Sequence, residues 1–417
     1  MEPQLKDCAQ ATTGGLSPSG RSDLTYRWDR IRGTSQGLLE TCWNVFALLI
    51  AIRVFAADES LKQFIPVGKG IGLLLSPLAL AVASRFHSSV ATILAVLWAG
   101  ISVGTALMIV APGIGVFVLG VILAQLCATG GVPLLTHLYS RNYRSHERGA
   151  RLSTTFLLGS LAGVVYGYLG GELLDWKEAA WPLVFGVALV AAVIGAFAVW
   201  RFPSEPATGL SARNPFRSLA LAWEDRLFGV ILFAWMLMGL GNLMQIPLRV
   251  EYLANPRFGI NASNAEASAI LVSTVLGFRL LSTKVWGWLF DRVNVMTVRV
   301  GLNLVFMASI ASFFFTESLW LMAVGSALMG IAFGGGGIMW NLYVTKIAPP
   351  EKVAGYMSAH GFLTGVRMTA APFLGYAVME ISHPSSAAYL SMVLIAISTL
   401  TFLPLRPLIA RRAQLDS

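Results

Sequence analysis

Charged residues are scarce in this chain. Asp, Glu, Lys and Arg make up 12% of its 417 residues, 56% of the residues are hydrophobic, and the mean hydropathy is +0.68. A soluble domain carries roughly 25% charged residues. With so little charge the chain cannot cover a water-facing surface, so most of its surface must face lipid. The shortage of charge therefore excludes an ordinary soluble protein and predicts an integral membrane protein.

The residues needed for covalent chemistry are also few. The three cysteines are Cys8 in a polar leader and Cys42 and Cys127 in apolar segments, and no paired spacing among them suggests a disulfide framework or a metal site. The five histidines are scattered, and the chain has no phosphate-binding loop of the kind that ATP-driven pumps use. An enzyme that modifies lipids would need convergent acids, histidines or a nucleophile. We therefore expect no catalytic residue, no cofactor and no metal.

Long apolar runs fill most of the sequence. A membrane-spanning helix needs about 20 apolar residues. By this measure we predict an all-α integral membrane protein with twelve transmembrane helices, at about 36–56, 65–84, 88–110, 113–138, 152–173, 180–201, 227–248, 266–290, 298–316, 318–344, 355–380 and 386–405. The longest internal polar stretch divides them into six plus six. The predicted parts are a polar tail (1–35), an N-terminal bundle (36–201), a linker (202–226), a C-terminal bundle (227–405) and a second tail (406–417).

The net charge of +9 is informative because of where the basic residues lie. Nucleic-acid binding would require a basic stripe with interleaved aromatic residues on a soluble segment, and none is present. Most Lys and Arg residues instead fall in the two tails and in the loops between even and odd helices. Cytoplasmic loops collect positive charge. We therefore expect a plasma (inner) membrane protein with both termini in the cytoplasm.

The sequence repeats at an offset of 204 residues. Six residues of the first copy have identical counterparts in the second, and a seventh keeps its charge. Gly130, Gly131, Leu138, Tyr139, Glu147, Arg148 and Ala150 recur as Gly334, Gly335, Leu342, Tyr343, Glu351, Lys352 and Ala354. Each copy has a Gly-rich apolar helix end, a tyrosine, and a polar turn before the next apolar helix. A repeat of this length in an apolar chain is typical of the two halves of a helical membrane transporter.

A short motif in the second half resembles a loop signature of the major facilitator superfamily. Gly287 is followed by Asp291 and Arg292 in the pattern G-x-x-x-D-R, between predicted helices 8 and 9. The corresponding loop between helices 2 and 3 keeps Arg85 but lacks the glycine and the aspartate. The resemblance implies two pseudo-symmetric six-helix bundles. It also implies transport by alternating access, with Gly287, Asp291, Arg292 and Arg85 as gating residues.

Two arginines lie near the middle of predicted helices. A charge at this depth is unfavourable by about 2.5–3.5 kcal/mol on insertion scales, so it usually faces a cavity or a partner. Arg279 and Arg367 have no predicted Asp or Glu at their depth, and this favours a solute with an anionic group. For Arg367, which lies near Gly365 and Pro372, the alternative is that it satisfies backbone carbonyls of a broken helix.

Other polar or amphipathic residues form candidate cavity stripes. Each would contact the solute or would only bond one helix to another. They are Asn44, Gln125, Thr129, Trp235, Asn242, Gln245, Trp340 and Asn341.

These features predict a secondary transporter that moves a small organic solute through the lipid bilayer. Its energy would come from an H⁺ or Na⁺ gradient, with that ion as a partner, or from the solute gradient alone, as in a passive facilitator. The alternative is a membrane receptor or scaffold of the same fold that transports nothing. Neither the solute nor the direction of transport follows from the sequence.

Overall fold

The computed structural model of the chain describes residues 17–85, 87–207, 218–349 and 352–409. Within these ranges twelve long helices dominate and no β-strand is formed. The helices are α1 Pro18–Arg53, α2 Val67–Ala83, α3 Val90–Ile109, α4 Ile114–Asn142, α5 Ser145–Trp176, α6 Trp181–Trp200, α7 Arg226–Ala254, α8 Asn264–Arg292, α9 Val295–Phe314, α10 Leu319–Leu342, α11 Val353–Ile381 and α12 Pro384–Phe402.

The helices form two bundles with the same internal packing. In the first, α1 packs against α5 and α6, and α4 packs against α2 and α3. In the second, α7 packs against α11 and α12, and α10 packs against α8 and α9. The helices α4 and α10, which carry the sequence repeat, therefore occupy equivalent places. This confirms the predicted all-α fold of two pseudo-symmetric six-helix bundles.

Eleven of the twelve helices in the described ranges are long and apolar enough to cross a membrane. The exception is α11, which is long enough but carries the buried polar residues His360, Thr364 and Arg367 along its middle. Because the helices alternate in direction, their ends define two faces. We call the end that holds Pro18, Asp291 and Phe402 the terminal face, and the opposite end, with Arg53 and Asn264, the far face.

The predicted polar tail over residues 1–35 was wrong for its second part. Helix α1 begins at Pro18, with Ser17 as its N-cap, and residues 1–16 lie outside the described part of the chain. The physical reason is a buried polar cluster around Asp29, whose side chain is fully buried. Its carboxylate accepts hydrogen bonds from Arg32 at 2.7 Å, Tyr139 at 2.7 Å and Tyr143 at 3.1 Å. A hydropathy profile cannot detect a helix that satisfies its polar groups in this way.

Each of the other predicted helices overlaps one observed helix. The largest differences are at the start of α5, which begins at 145 rather than 152, and at the end of α7, which continues to 254 rather than 248. The predicted linker, 202–226, contains a short helix, Leu221–Glu224, and its residues 208–217 lie outside the described ranges. In the predicted second tail, 406–409 are helical and 410–417 are not described.

Glycines allow α1 and α5 to approach closely. A Cβ on Gly37 would lie 1.8 Å from the carbonyl oxygen of Gly159, and one on Gly33 would lie 2.2 Å from the Thr155 side chain. Both distances are far below van der Waals contact, so neither position tolerates a side chain without separating the helices. Close backbone contact of this kind is a common way for helices to associate in membranes.

Candidate functional site

The two bundles are joined mainly near the far face. Lys62 of the first bundle forms an ion pair with Glu251 of the second, with Nζ 2.9 Å from Oε1. The Asp175 carboxylate accepts hydrogen bonds from the backbone N–H groups of Asn264 at 2.7 Å and Ala265 at 2.9 Å. Arg53 also donates a hydrogen bond to the carbonyl oxygen of Ala262. These contacts hold the far ends of α1, α5, α7 and α8 together.

Two further contacts extend this seal. Arg257 Nη1 lies 3.1 Å from Glu59 Oε1, and the rings of Phe64 and Phe373 meet edge to face with centroids 5.0 Å apart. Among the described residues, every hydrogen bond and ion pair between the bundles lies in the half of the molecule nearest the far face. The bundles are therefore closed toward the far face.

The motif residues lie at the terminal face. Asp291, Arg292 and Arg85 are exposed, and within the described ranges their side chains form no ion pair. The Arg292 guanidinium lies over the Trp288 ring at 4.8 Å, and the nearest neighbour of a Cβ built on Gly287 would be Ile338 at 3.7 Å. The structure therefore places the four predicted gating residues at one face but holds none of them in a contact between the bundles.

A charged cluster lies on the inner side of the first bundle. Glu40 on α1 forms an ion pair with Lys69 on α2, and Asn44 bridges them, accepting from Lys69 Nζ at 2.9 Å and donating to Glu40 Oε2 at 3.1 Å. Asn44 is exposed although its neighbours Trp43 and Val45 are buried. Its segment, Cys42–Phe46, forms a π-helix, an irregularity that is frequent at functional sites.

Glu40 corrects the expectation that no carboxylate lies at the depth of the central arginines. At a rise of 1.5 Å per residue, Glu40 is about 20 Å from the Arg53 end of α1. Arg279 is about 22 Å from the Asn264 end of α8 by the same measure. The predicted start of the first helix at residue 36 placed Glu40 at a helix end, and the observed start at Pro18 places it inside.

Arg279 lies opposite this cluster, on α8 of the second bundle. Arg279 is exposed, and the negative charge of the Glu40 carboxylate acts on its guanidinium. Among the described residues, the guanidinium of Arg279 has no hydrogen-bond or ion-pair partner, although its backbone carbonyl accepts from Thr283 at 2.6 Å. Asn341 on α10 is also exposed, and Trp340 beside it is half-buried. Of the predicted candidates, Arg279, Asn44 and Asn341 are thus exposed, and Trp340 and Thr129 are half-buried.

Arg367 lies in a different environment. It is buried, donates to the carbonyl oxygen of Trp235 at 2.7 Å and to Thr364 Oγ1 at 3.0 Å, and packs against Gly239. This geometry corresponds to the alternative in which the arginine satisfies a backbone carbonyl. Trp235 itself is buried beneath the guanidinium. The structure therefore does not bring Arg367 together with Arg279.

Four other candidates make contacts between or within helices. Gln125 Oε1 accepts from the backbone N–H of Lys69 at 3.3 Å, and Thr129 Oγ1 donates to the Lys69 carbonyl at 3.1 Å. Gln245 Nε2 donates to the carbonyl of Asn242 at 3.0 Å. The first two fix the position of Lys69 and so support the charged cluster indirectly.

Three buried charges lie outside the predicted helices or at the very end of one: Arg249 and Lys62 fall between predicted helices, and Arg299 is the second residue of predicted helix 9. Arg249 is fully buried in α7 and donates to Gln245 at 2.6 Å and Ser309 at 2.8 Å. Arg299 is buried in α9, and Lys62 is buried in its ion pair with Glu251. Their position in the sequence could have indicated their burial, because each lies within a few residues of an apolar run. The ordered structure extends further than the hydropathy of those runs alone indicated.

Two six-helix bundles around a central polar interface are an architecture that many membrane transporters share. Residues 252–414 match the family model described as Major Facilitator Superfamily. The matched residues run from the end of α7 through α12, so the match covers the second bundle, which also carries the G-x-x-x-D-R motif. A comparison with curated protein sequences finds no match.

Solved structures share the fold over nearly the whole chain. A mutant of the nucleoside transporter NupG is 11% identical, with a TM-score of 0.74, covering 91% of this chain and 98% of that one. A D-xylose–proton symporter is 13% identical, with a TM-score of 0.66 and coverage of 92% and 96%. A mutant of the peptide transporter POT in complex with sulfate is 13% identical, with a TM-score of 0.70 and coverage of 97% and 99%.

Proposed function

We propose that the protein is a secondary active transporter that moves a small organic solute with an anionic group by alternating access. The observation that carries the anionic assignment is Arg279. Its guanidinium is accessible near the middle of the helix and has no hydrogen-bond partner within the described structure. A carboxylate, phosphate or sulfate would pair with it by two parallel hydrogen bonds.

The charges around the interface support this assignment. Glu40 and Lys69 neutralise each other in their ion pair. The three charged groups Glu40, Lys69 and Arg279 therefore carry one net positive charge, which comes from Arg279. A positive, partly desolvated site attracts anions and repels cations. Asn44, Trp340 and Asn341 are the accessible neutral groups that would contact the rest of the solute.

The proposed conformational cycle has two states. In the present state the far face is closed by Lys62–Glu251 and by the contacts of Asp175. In the other state these contacts break and the terminal face closes, with Asp291 at the end of α8 attracting the positive N-terminal end of a facing helix. With the termini in the cytoplasm and the protein in the plasma (inner) membrane, the present state is inward-facing.

We further propose that Glu40 is the site of proton coupling. Its carboxylate is accessible, forms an ion pair with Lys69 and accepts a hydrogen bond from Asn44. Protonation would release Lys69 and increase the positive charge that Arg279 and Lys69 present to the solute. One of the fold relatives is described as a proton symporter.

The decisive experiment is solute uptake into proteoliposomes against a broad panel of metabolites, with and without gradients of H⁺ and Na⁺. We expect an anionic solute to accumulate only with an ion gradient. The Arg279→Gln variant should lose this uptake, and Lys284→Gln, which removes an exposed cation from the same helix, should retain it. Uptake without gradient dependence would indicate a passive facilitator. A folded protein that moves no solute would indicate a scaffold or receptor.

A further inference from the structure

A second cationic cluster lies inside the C-terminal bundle, away from Arg279. We call it the Trp235 cluster, and it consists of Trp235, Arg299, Tyr343, His360 and Arg367. All five side chains belong to residues that are at most 5% exposed. They come from α7, α9, α11 and the short helix that follows α10.

The aromatic rings of the cluster meet around one point. The Trp235 ring centroid is 5.0 Å from that of Tyr343 and 4.9 Å from that of His360, and the last two are 5.0 Å apart. Two guanidinium groups contact the same indole: Arg299 lies 4.7 Å and Arg367 lies 5.7 Å from its centroid. Two like charges are therefore buried within one small volume.

No carboxylate compensates these charges in the described part of the chain. Arg299 donates to Asn303 Oδ1, and Arg367 donates to a backbone carbonyl and to Thr364 Oγ1. The charge that acts on Arg299 is the like charge of Arg367. Burying one uncompensated charge is strongly unfavourable, and burying two that repel each other is more so.

The cluster also contains buried polar atoms without a hydrogen-bond partner. They are Trp235 Nε1, Tyr343 Oη, His360 Nε2 and Arg367 Nε. Buried polar atoms in folded proteins almost always have a hydrogen-bond partner, so four atoms without one in a single cluster indicate a missing partner. An anion accepts hydrogen bonds from indole, phenol and guanidinium donors and at the same time offsets the positive charge of the guanidinium groups.

We propose that the Trp235 cluster binds one small inorganic anion of the size of chloride. The five side chains are almost completely buried, which favours a small, dehydrated ion over the anionic group of an organic solute. Trp340, which is half-buried, packs against the cluster: its Nε1 donates to Thr364 Oγ1 at 3.3 Å and its ring lies 5.7 Å from that of His360. The bound ion would hold α7, α9 and α11 together and would leave Arg279 free for the transported solute.

The direct test is equilibrium dialysis of the purified full chain with radiolabelled chloride, in a buffer whose other anion is gluconate. We expect about one chloride per chain, which would offset one of the two positive charges of the cluster. Arg299→Gln should abolish binding. Tyr343→Phe, which keeps the ring and removes one donor, should weaken it about tenfold, as expected for one hydrogen bond to a charged group. Arg279→Gln should bind chloride like the parent chain.

Thermal unfolding gives a second readout that does not depend on transport. At constant ionic strength, replacing gluconate by chloride should raise the Tm of the parent chain and of Arg279→Gln, and should leave that of Arg299→Gln unchanged. The proposal would be overturned if the parent chain bound no chloride. It would also be overturned if Arg299→Gln and Tyr343→Phe bound chloride as tightly as the parent chain. Displacement of chloride by the transported solute would assign the cluster to the solute instead and would equally overturn it.

Discussion

Lys62 and Glu251 form an ion pair between the two bundles with both side chains almost completely buried, 2% and 0% exposed. Tyr376 donates to Glu251 Oε1 at 2.9 Å, and Asn255 donates to Oε2 at 3.1 Å, so the carboxylate is fully satisfied. A buried pair of this kind adds little net stability, but removing one partner leaves an uncompensated charge and is unfavourable by about 3–5 kcal/mol. The pair is therefore well suited to hold one conformation and to be broken in another.

Glu251→Gln should shift the population toward a state that is open at the far face, because Lys62 then gains by reaching water. The reporter is a cysteine at Phe373, whose ring contacts Phe64 in the closed seal. In a background with Cys8 replaced by serine, labelling of Phe373→Cys by an impermeant maleimide should increase several-fold. Glu266→Gln is the matched control, since that exposed carboxylate only completes the cap of its own helix. Equal labelling in both variants would show that the Lys62–Glu251 ion pair does not keep the far face closed.

Gly37→Ala should destabilise the protein, because its Cβ would lie 1.8 Å from the Gly159 carbonyl oxygen and would push α1 away from α5. The loss of packing is expected to be about 1–3 kcal/mol, the usual range for overpacking. Gly186→Ala is the control, since a Cβ there meets nothing within 4 Å and alanine favours the helix. Thermal unfolding in detergent measures both. If the Gly37→Ala protein had an unchanged Tm, α1 and α5 would be less closely packed than the distance between Gly37 and Gly159 indicates.

The main elements of the fold could be predicted from the sequence because membrane insertion depends on properties that are local in the chain. Apolar runs set the number of helices, and the repeat at 204 residues set the equivalence of α4 and α10. Helix ends were less predictable. The polar start of α1 is stabilised by Asp29 through contacts with Tyr139 and Tyr143, more than 100 residues away, and no local pattern contains that information.

The candidate site could be predicted only in part, for a related reason. Arg279 and Arg367 both follow the same rule of a central arginine without a nearby acid, yet one is exposed at the interface and the other is buried. The rotation of a helix about its axis decides between these outcomes, and helices in membranes rotate according to their neighbours. The rotation of α8 and α11 depends on the packing of Gly330 against Val275 and of Gly239 against Arg367.

Asp291→Asn should slow transport without unfolding the protein. In the present state its carboxylate is exposed and forms no ion pair with a described residue, so removing its charge has little effect on this conformation. The charge matters in the state closed at the terminal face, which the substitution should destabilise. Turnover in proteoliposomes at equal protein content measures the effect, with Asp58→Asn at the far face as control. Normal turnover in Asp291→Asn would show that the charge of Asp291 does not stabilise the state closed at the terminal face.

Glu40→Gln should uncouple transport from the proton gradient. Glutamine keeps the shape of the side chain and one acceptor oxygen for Asn44 or Gln36 but cannot exchange a proton with solvent. We expect accumulation driven by a pH gradient to be lost and exchange of labelled for unlabelled solute to remain. Glu380→Gln, at an exposed helix end, should behave like the parent chain. If accumulation persists in Glu40→Gln, the coupling ion does not act through this carboxylate.

Arg279 provides the sharpest test of solute charge. Because its guanidinium is accessible and has no partner within the described structure, the solute should supply the counter-charge. Arg279→Gln should weaken binding of the anionic solute about tenfold or more, as expected from losing one charge-assisted pair. Arg279→Lys should recover only part of this affinity, because an ammonium group cannot form the two parallel hydrogen bonds of a guanidinium.

Solute binding to the purified chain, measured by calorimetry, separates this effect from a change in transport rate. The Lys284→Gln variant controls for the loss of any positive charge on α8. Equal yields of folded protein would show that Arg279 is dispensable for the fold, in contrast to Arg367, which holds the Trp235 carbonyl. A neutral or cationic solute, or unchanged affinity in Arg279→Gln, would contradict the anionic assignment and would leave Arg279 with a structural role at the bundle interface.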